Sequence, residues 1–141
     1  MAAVKRLQGN RTTRTERGQA LVEAAIAFPL LLLVAIALVQ FALFVYAQNV
    51  VTGAVQDGAR VAAADGSTVA DGVTRTQTLL GAGLGQSAAA VSVQGSAGTG
   101  VVTIRARGRL RTIIPWVADA SLPLEAQAVM SKERFRVGPG S

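Results

Sequence analysis

From Ala24 to Ala47 the chain is almost uniformly apolar, interrupted by Pro29 and Gln40 alone. As a helix this run measures about 36 Å, against roughly 30 Å of bilayer hydrocarbon. It is longer than the apolar core of a cleaved secretory peptide. Val45, Tyr46, Ala47, Gln48 and Asn49 also make a poor small-residue cut site, so the pattern predicts a retained membrane span. Pro29 removes the backbone bond to Ala25. Two consequences stay open: a harmless kink, or a flexible point that lets the segment leave the bilayer and pack in a polymer.

After the span the apolar positions narrow to a stripe. Val51, Ala54, Val55, Gly58 and Ala62 recur at helical spacing, with Asn49, Thr52, Gln56 and Arg60 on another face. The pattern predicts one helix continuing from Gln19 to Ala64, with Arg60 reaching Gln56 and Asp57, and Asp65, Gly66 and Ser67 ending it. A second, shorter helix fits Val69 to Leu84, its end weakened by Gly81, Gly83 and Gly85. That glycine-rich end matches no phosphate-binding fingerprint and reads as a loose cap and turn.

The period then changes to two. Ala89, Val91 and Val93 alternate with Ala90, Ser92 and Gln94, and residues 95–100 read as a flexible hairpin connection. The next strand alternates most clearly: Val102, Ile104, Ala106, Gly108 and Leu110 on one face, Thr103, Arg105, Arg107, Arg109 and Arg111 on the other. A slip of one residue would bury the arginines, so its register is well fixed. A third strand fits Leu124 to Glu133, with Glu125 and Glu133 placed to pair across strands with some of those arginines. Residues 113–117 join these strands, Trp116 reads as a core residue more readily than an interfacial one, and residues 134–141 read as a frayed tail. The predicted class is α+β: a long N-terminal transmembrane helix continuing into a small head with a short second helix and a three-stranded antiparallel sheet.

Charge gives the span a direction. Of 14 Lys and Arg, five (Lys5, Arg6, Arg11, Arg14 and Arg17) precede the apolar run, with Glu16 the one acid among them. The remainder holds nine basic against seven acidic residues, so most of the net charge of +6 lies in a short leader. Positive residues flanking a span are retained in the cytoplasm, which predicts the N-terminus inside and the C-terminus outside. The leader lacks the aromatic or amide readers that nucleic-acid binding would use, so no nucleic-acid partner is expected. The expected partition is a basic cytoplasmic leader over 1–18, a transmembrane helix over 19–47 and an extracytoplasmic head over 48–141. Residues 1–17 are expected to be largely disordered.

The chain has no Cys and no His, which excludes disulfides, metal sites built on those residues, and a His base or Cys nucleophile. Asp57, Asp65, Asp71, Asp119, Glu125 and Glu133 contain no spaced acid–base pair. An enzyme is therefore not expected, and no cofactor is implied. A membrane-tethered hydrolase is the least favoured class.

The remaining candidate chemistry lies at Gly18, Gln19 and Glu23. A carboxylate at the mouth of a membrane span is costly and invites a functional explanation. Gly18 suits a membrane-embedded peptidase that needs a small residue and an extended approach before its cut. Cutting there would leave Gln19 as a new amino terminus one helical turn before Glu23. Amine and carboxylate, paired between neighbouring subunits, would offset much of each other's desolvation. The plainer alternative is that Glu23 favours the helix start through the helix dipole. The arginine row likewise has two readings. One is contact with acidic surface polymers, lipid headgroups or a partner subunit. The other, favoured by the alternation, is a solvated sheet face partly neutralised by Glu125 and Glu133.

The stretch Arg17-Gly-Gln-Ala-Leu-Val-Glu-Ala-Ala-Ile-Ala-Phe-Pro-Leu-Leu-Leu-Leu resembles the start of TadE-like proteins, the minor pilins or pseudopilins of the tight-adherence (Flp, type IVb) pilus system of bacteria. Gly58-Ala-Arg-Val-Ala-Ala and the Ala-Val-Met-Ser-Lys-Glu run near the C-terminus look like the same family. The resemblance implies cleavage after Gly18 by a prepilin peptidase, with Glu23 serving recognition and assembly. It further implies other pilin and pseudopilin subunits, an inner-membrane assembly platform and the lipid bilayer as partners. Many family members carry Phe after the Glu, where this chain has Ala24. Flp-type major pilins tend to have Tyr there and are much shorter, which argues for a minor component. The alternative function is an uncleaved, single-pass, membrane-anchored extracytoplasmic binding module.

Overall fold

The computed structural model describes residues 9–111 and 121–132. Helix α1 runs Gly9–Ala63, α2 Val69–Leu84, and a short 3-10 helix Gly85–Ala90. Strands β1 (Val91–Ala97), β2 (Val101–Arg111) and β3 (Ser121–Ser131) follow. The three strands form one antiparallel sheet in the order β1-β2-β3. The α+β class and its elements are therefore as the sequence predicts. Two compact units divide the chain, the first ending at Val39 and the second starting at Gln40.

In the first unit α1 begins earlier than expected. Gly9 to Arg17, predicted to be largely disordered, are helical. Arg and Glu, four of these nine residues, are good helix formers, and each residue added to an established helix gains a bond without a new nucleation cost. The helix continues through Pro29 without interruption.

In the second unit the stripe read from the sequence becomes the core. Val51, Ala54, Val55, Ala59 and Ala62 of α1 are buried in one cluster with Leu80 of α2, Val102, Ile104 and Ala106 of β2, and Leu124 and Ala128 of β3. The helices lie against the sheet face that carries Val102 and Ile104. The opposite face carries the arginines.

Small residues let α1 and α2 approach almost to backbone contact. A methyl group added at Gly72 would lie 2.5 Å from the Gly58 carbonyl oxygen and 2.6 Å from the Ala62 Cβ. Thr76 is fully buried in this seam. Its hydroxyl donates to the Gly72 carbonyl on its own helix at 2.8 Å and approaches the Ala54 carbonyl of α1 at 3.3 Å. Asp57 does not pair with Arg60 as expected. It takes Arg75 of α2 at 2.7 Å, because helix packing delivers a partner that local spacing does not show. Across the core, Gln48 donates to the Glu125 carbonyl at 2.7 Å, joining α1 to β3.

The turn after α1 contains Gly66 at φ +77°, the left-handed conformation that favours glycine. Helix α2 then opens with a capping box. The Asp71 backbone N–H donates to the Thr68 hydroxyl at 3.2 Å, and the Thr68 N–H donates to the Asp71 carboxylate at 2.8 Å. The Thr68 hydroxyl also donates to that carboxylate, at 2.7 Å. These bonds, the side-chain one foremost, hold the Asp71 pKa below its ordinary value.

Two strand boundaries differ from expectation. Ala89 and Ala90, predicted to begin β1, belong to the 3-10 helix. Gly95 to Ala97, predicted to be loop, extend β1, with Gly95 opposite Ile104, Ser96 opposite Thr103 and Ala97 opposite Val102. Gly95 has to lack a side chain there, since a methyl group would meet Val69, Val73 and Ile104. Strand β3 starts at Ser121 and carries Pro123, which an edge strand tolerates because its outward N–H has no ladder partner to lose. Glu133, Trp116 and residues 113–117 and 134–141 lie outside the described residues.

Candidate functional site

In the first unit Gly18, Gln19 and Glu23 are exposed, and all three are helical. The extended approach expected at Gly18 is therefore not what the structure has: the i to i−4 ladder of α1 passes straight through it. Nothing lies within 4 Å of a methyl group placed at Gly18, so no neighbour accounts for a glycine there. A glycine inside a helix costs about 0.5–1 kcal/mol relative to alanine, which makes this the weakest point of the local ladder. Glu23 forms no hydrogen bond or ion pair among the described residues.

Beyond Glu23 the apolar side chains are exposed on every face of the helix: Ile26, Phe28, Leu30 to Val34, Leu38 and Val39. A helix that is apolar all round needs an apolar medium all round. From Gly18 to Val39 it rises about 32 Å, matching roughly 30 Å of hydrocarbon. By length and composition this helix is able to cross a membrane.

In the second unit the arginine row stands as its alternation predicts. Arg105, Arg107, Arg109 and Arg111 share the sheet face turned away from the helices, and the β2–β3 register decides which of them find partners. Arg107 lies opposite Glu125 and bonds it at 2.9 Å through both Nε and Nη2. Arg105 lies opposite Gln127 and donates to its Oε1, a partner that a search for carboxylates overlooks. Arg109 faces Pro123 and Arg111 faces Ser121, neither of which offers a carboxylate. The Arg107–Glu125 pair is more than half exposed on both sides, so solvent screening leaves it roughly 0.2–1 kcal/mol.

A cleft of about 280 Å³, with no counterpart in any sequence pattern, is bordered by Gln40, Leu43, Tyr46 and Ala47 of α1, by Gly83, Leu84 and Ser87, and by Leu110 and Arg111 of β2. Its walls come from positions some 70 residues apart, and no local pattern joins them. The Tyr46 hydroxyl donates to the Gly83 carbonyl at 3.1 Å, fixing one wall to the end of α2.

Residues 18–60 match the family model described as TadE-like protein, so the chain carries a TadE-like segment across the exposed helix and into the core stripe. No curated protein and no solved structure matches the chain.

Proposed function

Taking residues 18–60 as a TadE-like segment, we propose that this chain is a minor pilin or pseudopilin supporting assembly of a tight-adherence (Flp, type IVb) pilus. It spans the bacterial cytoplasmic membrane once, with the basic leader inside and the sheet-bearing head outside. A prepilin peptidase removes residues 1–18. Gln19 then provides an amine one turn from Glu23, and pairing of that amine with a neighbour's carboxylate sets the axial register of subunits. The chain contributes packing, and the peptidase supplies the chemistry. Its partners are that peptidase, other pilin and pseudopilin subunits and the inner-membrane assembly platform.

The observation that carries this reading is a coincidence of boundaries. The family match opens at Gly18, where the helix also has its locally weakest residue, and the apolar, exposed segment follows at once. A peptidase has to unwind its substrate, and a glycine lowers that cost.

Intact mass of the chain from its native host tests the proposal. A mature form beginning at Gln19 is expected, and a population retaining residues 1–18 throughout would refute it. Glu23→Ala should then reduce pilus output without preventing membrane insertion. The uncleaved, anchored binding module remains the second reading. The continuous helix from Gly9 through Gly18 favours it, because a cut site inside an unbroken helix is poorly presented.

A further inference from the structure

The cleft in the second unit has a composition that points to a ligand. Its lining is largely apolar, with Leu43, Ala47 and Leu110 among it, and Arg111 is the charged side chain that borders it. No carboxylate borders it among the described residues. The neighbouring stretch of α1 exposes apolar side chains to solvent: Phe41 is 65% exposed and Leu43 40%. Tyr46 presents an exposed ring while its hydroxyl is bonded, the behaviour of an aromatic residue at a membrane–water boundary. Residues 40–47 are thus the end of the apolar run and one wall of the cleft at the same time.

Charge decides which ligand. Arg105 and Arg107 are engaged by Gln127 and Glu125, whereas Arg109 and Arg111 lie opposite Pro123 and Ser121. Of these two, Arg111 lines the cleft and is its cationic group. The cleft lies at the small end of ligand pockets, roughly 300–1,000 Å³, which suits part of one acyl chain and not a helix.

We infer that this cleft holds an anionic phospholipid of the outer leaflet, its phosphate on Arg111 and the start of one acyl chain against Leu43, Ala47 and Leu110. The inference rests on the membrane-anchored reading above. The guanidinium is well suited to phosphate, and its aliphatic stem lies along apolar surface while the charge stays at headgroup level. The bound lipid covers the apolar lining at the point where α1 passes from lipid into protein packing.

The test uses the full chain. Carbonate extraction of membranes containing it comes first: release would defeat the anchored reading itself. If the chain is retained, native mass spectrometry in detergent compares added dioleoyl phosphatidylglycerol with dioleoyl phosphatidylcholine. One retained phosphatidylglycerol is expected, in clear excess over phosphatidylcholine. Arg111→Ala should lower its retention about tenfold, the equivalent of one charge-assisted hydrogen bond. Ser87→Trp, at an exposed position on the cleft wall, should block it without altering the core. Arg107→Ala, on the same sheet face but held by Glu125, should leave retention unchanged. Equal retention of both lipids, or no loss in Arg111→Ala and Ser87→Trp, overturns the inference. Dimers that vanish in Ser87→Trp without any lipid preference would assign the cleft to a second copy and overturn it equally.

Discussion

Gly72→Ala puts the helix seam to a quantitative test. On an isolated helix the change would stabilise, by about 1 kcal/mol of propensity. Here the new methyl group would meet the Gly58 carbonyl oxygen at 2.5 Å and the Ala62 Cβ at 2.6 Å, where ordinary contacts lie at 3.4–4 Å. Neither neighbour is the free end of a flexible side chain, so α1 and α2 must separate by about 1 Å. A gap of that size forfeits roughly a quarter to a half of each dispersion contact it opens. Overpacking of a close-packed site costs about 1–3 kcal/mol, and two stiff obstacles place this one at the upper end. Setting about 3 kcal/mol of strain against about 1 of propensity leaves a net loss of about 2 kcal/mol. For a domain of this size that lowers Tm by about 8–16 °C. Differential scanning calorimetry of the full chain in detergent measures it. Gly53→Ala is the internal control: it lies on α1, the other helix of the seam, with nothing within 4 Å, and should raise stability by about 0.5–1 kcal/mol. A Tm for Gly72→Ala at or above that of the native chain would refute the argument, since strain would then not outweigh propensity. Gly58→Ala should be damaging too, and the double variant less than additive, because the helices need to part only once.

Three further outcomes follow from local interactions. Thr68→Ala removes the side-chain half of the capping box and should destabilise the head by about 0.5–2 kcal/mol in the same calorimetric assay, whereas an unchanged Tm would mean the cap is idle. The Asp71 carboxylate has a folded pKa below its unfolded one, so its contribution is complete above the unfolded value and disappears as pH falls through the lower folded value. The Tm difference between the native chain and Asp71→Asn should therefore be constant from neutral pH to about 5 and shrink only in acid, near and below the ordinary carboxylate pKa of about 3.9; a difference that grows toward neutral pH would contradict this. A double-mutant cycle on Arg107 and Glu125 should give a coupling below about 1 kcal/mol, and a value above 2 would show the pair to be better shielded than its exposure suggests.

The elements that could be read from the chain are those in which one residue decides its neighbour's environment. The arginine alternation in β2 left a single register, and the structure adopts it. The stripe from Val51 to Ala62 is likewise the buried face of α1. What escaped is of two kinds. The Ala88, Ala89 and Ala90 run has no polar–apolar contrast, so nothing separated a strand from the 3-10 helix that forms. Contacts made by packing also had no local sign: Arg75 reaching Asp57, or residues 40–47 and 110–111 bordering one cleft. The cap at Thr68 and Asp71 does have a local sign, the Thr-x-x-Asp spacing ahead of α2. At the candidate processing site the residues Gly18, Gln19 and Glu23 were legible as chemistry. The helix predicted from Gln19 onward covers Gln19 and Glu23, whereas its extension back through Gly18 had no sign, because a basic, polar leader carries no amphipathic signal.

The near-contact of the α1 and α2 backbones also has a mechanical side. Between most packed helices, interlocked side chains form a compliant layer that yields before the backbone does. Gly58, Gly72, Ala54 and Ala62 leave almost no such layer, and the Thr76 hydroxyl bridges what remains. Tension applied along α1 from residue 40 onward would therefore reach α2, and the strands behind it, with little slack. Single-molecule pulling should record the head yielding in one step, and a separate early peeling of α2 would show that the joint is soft.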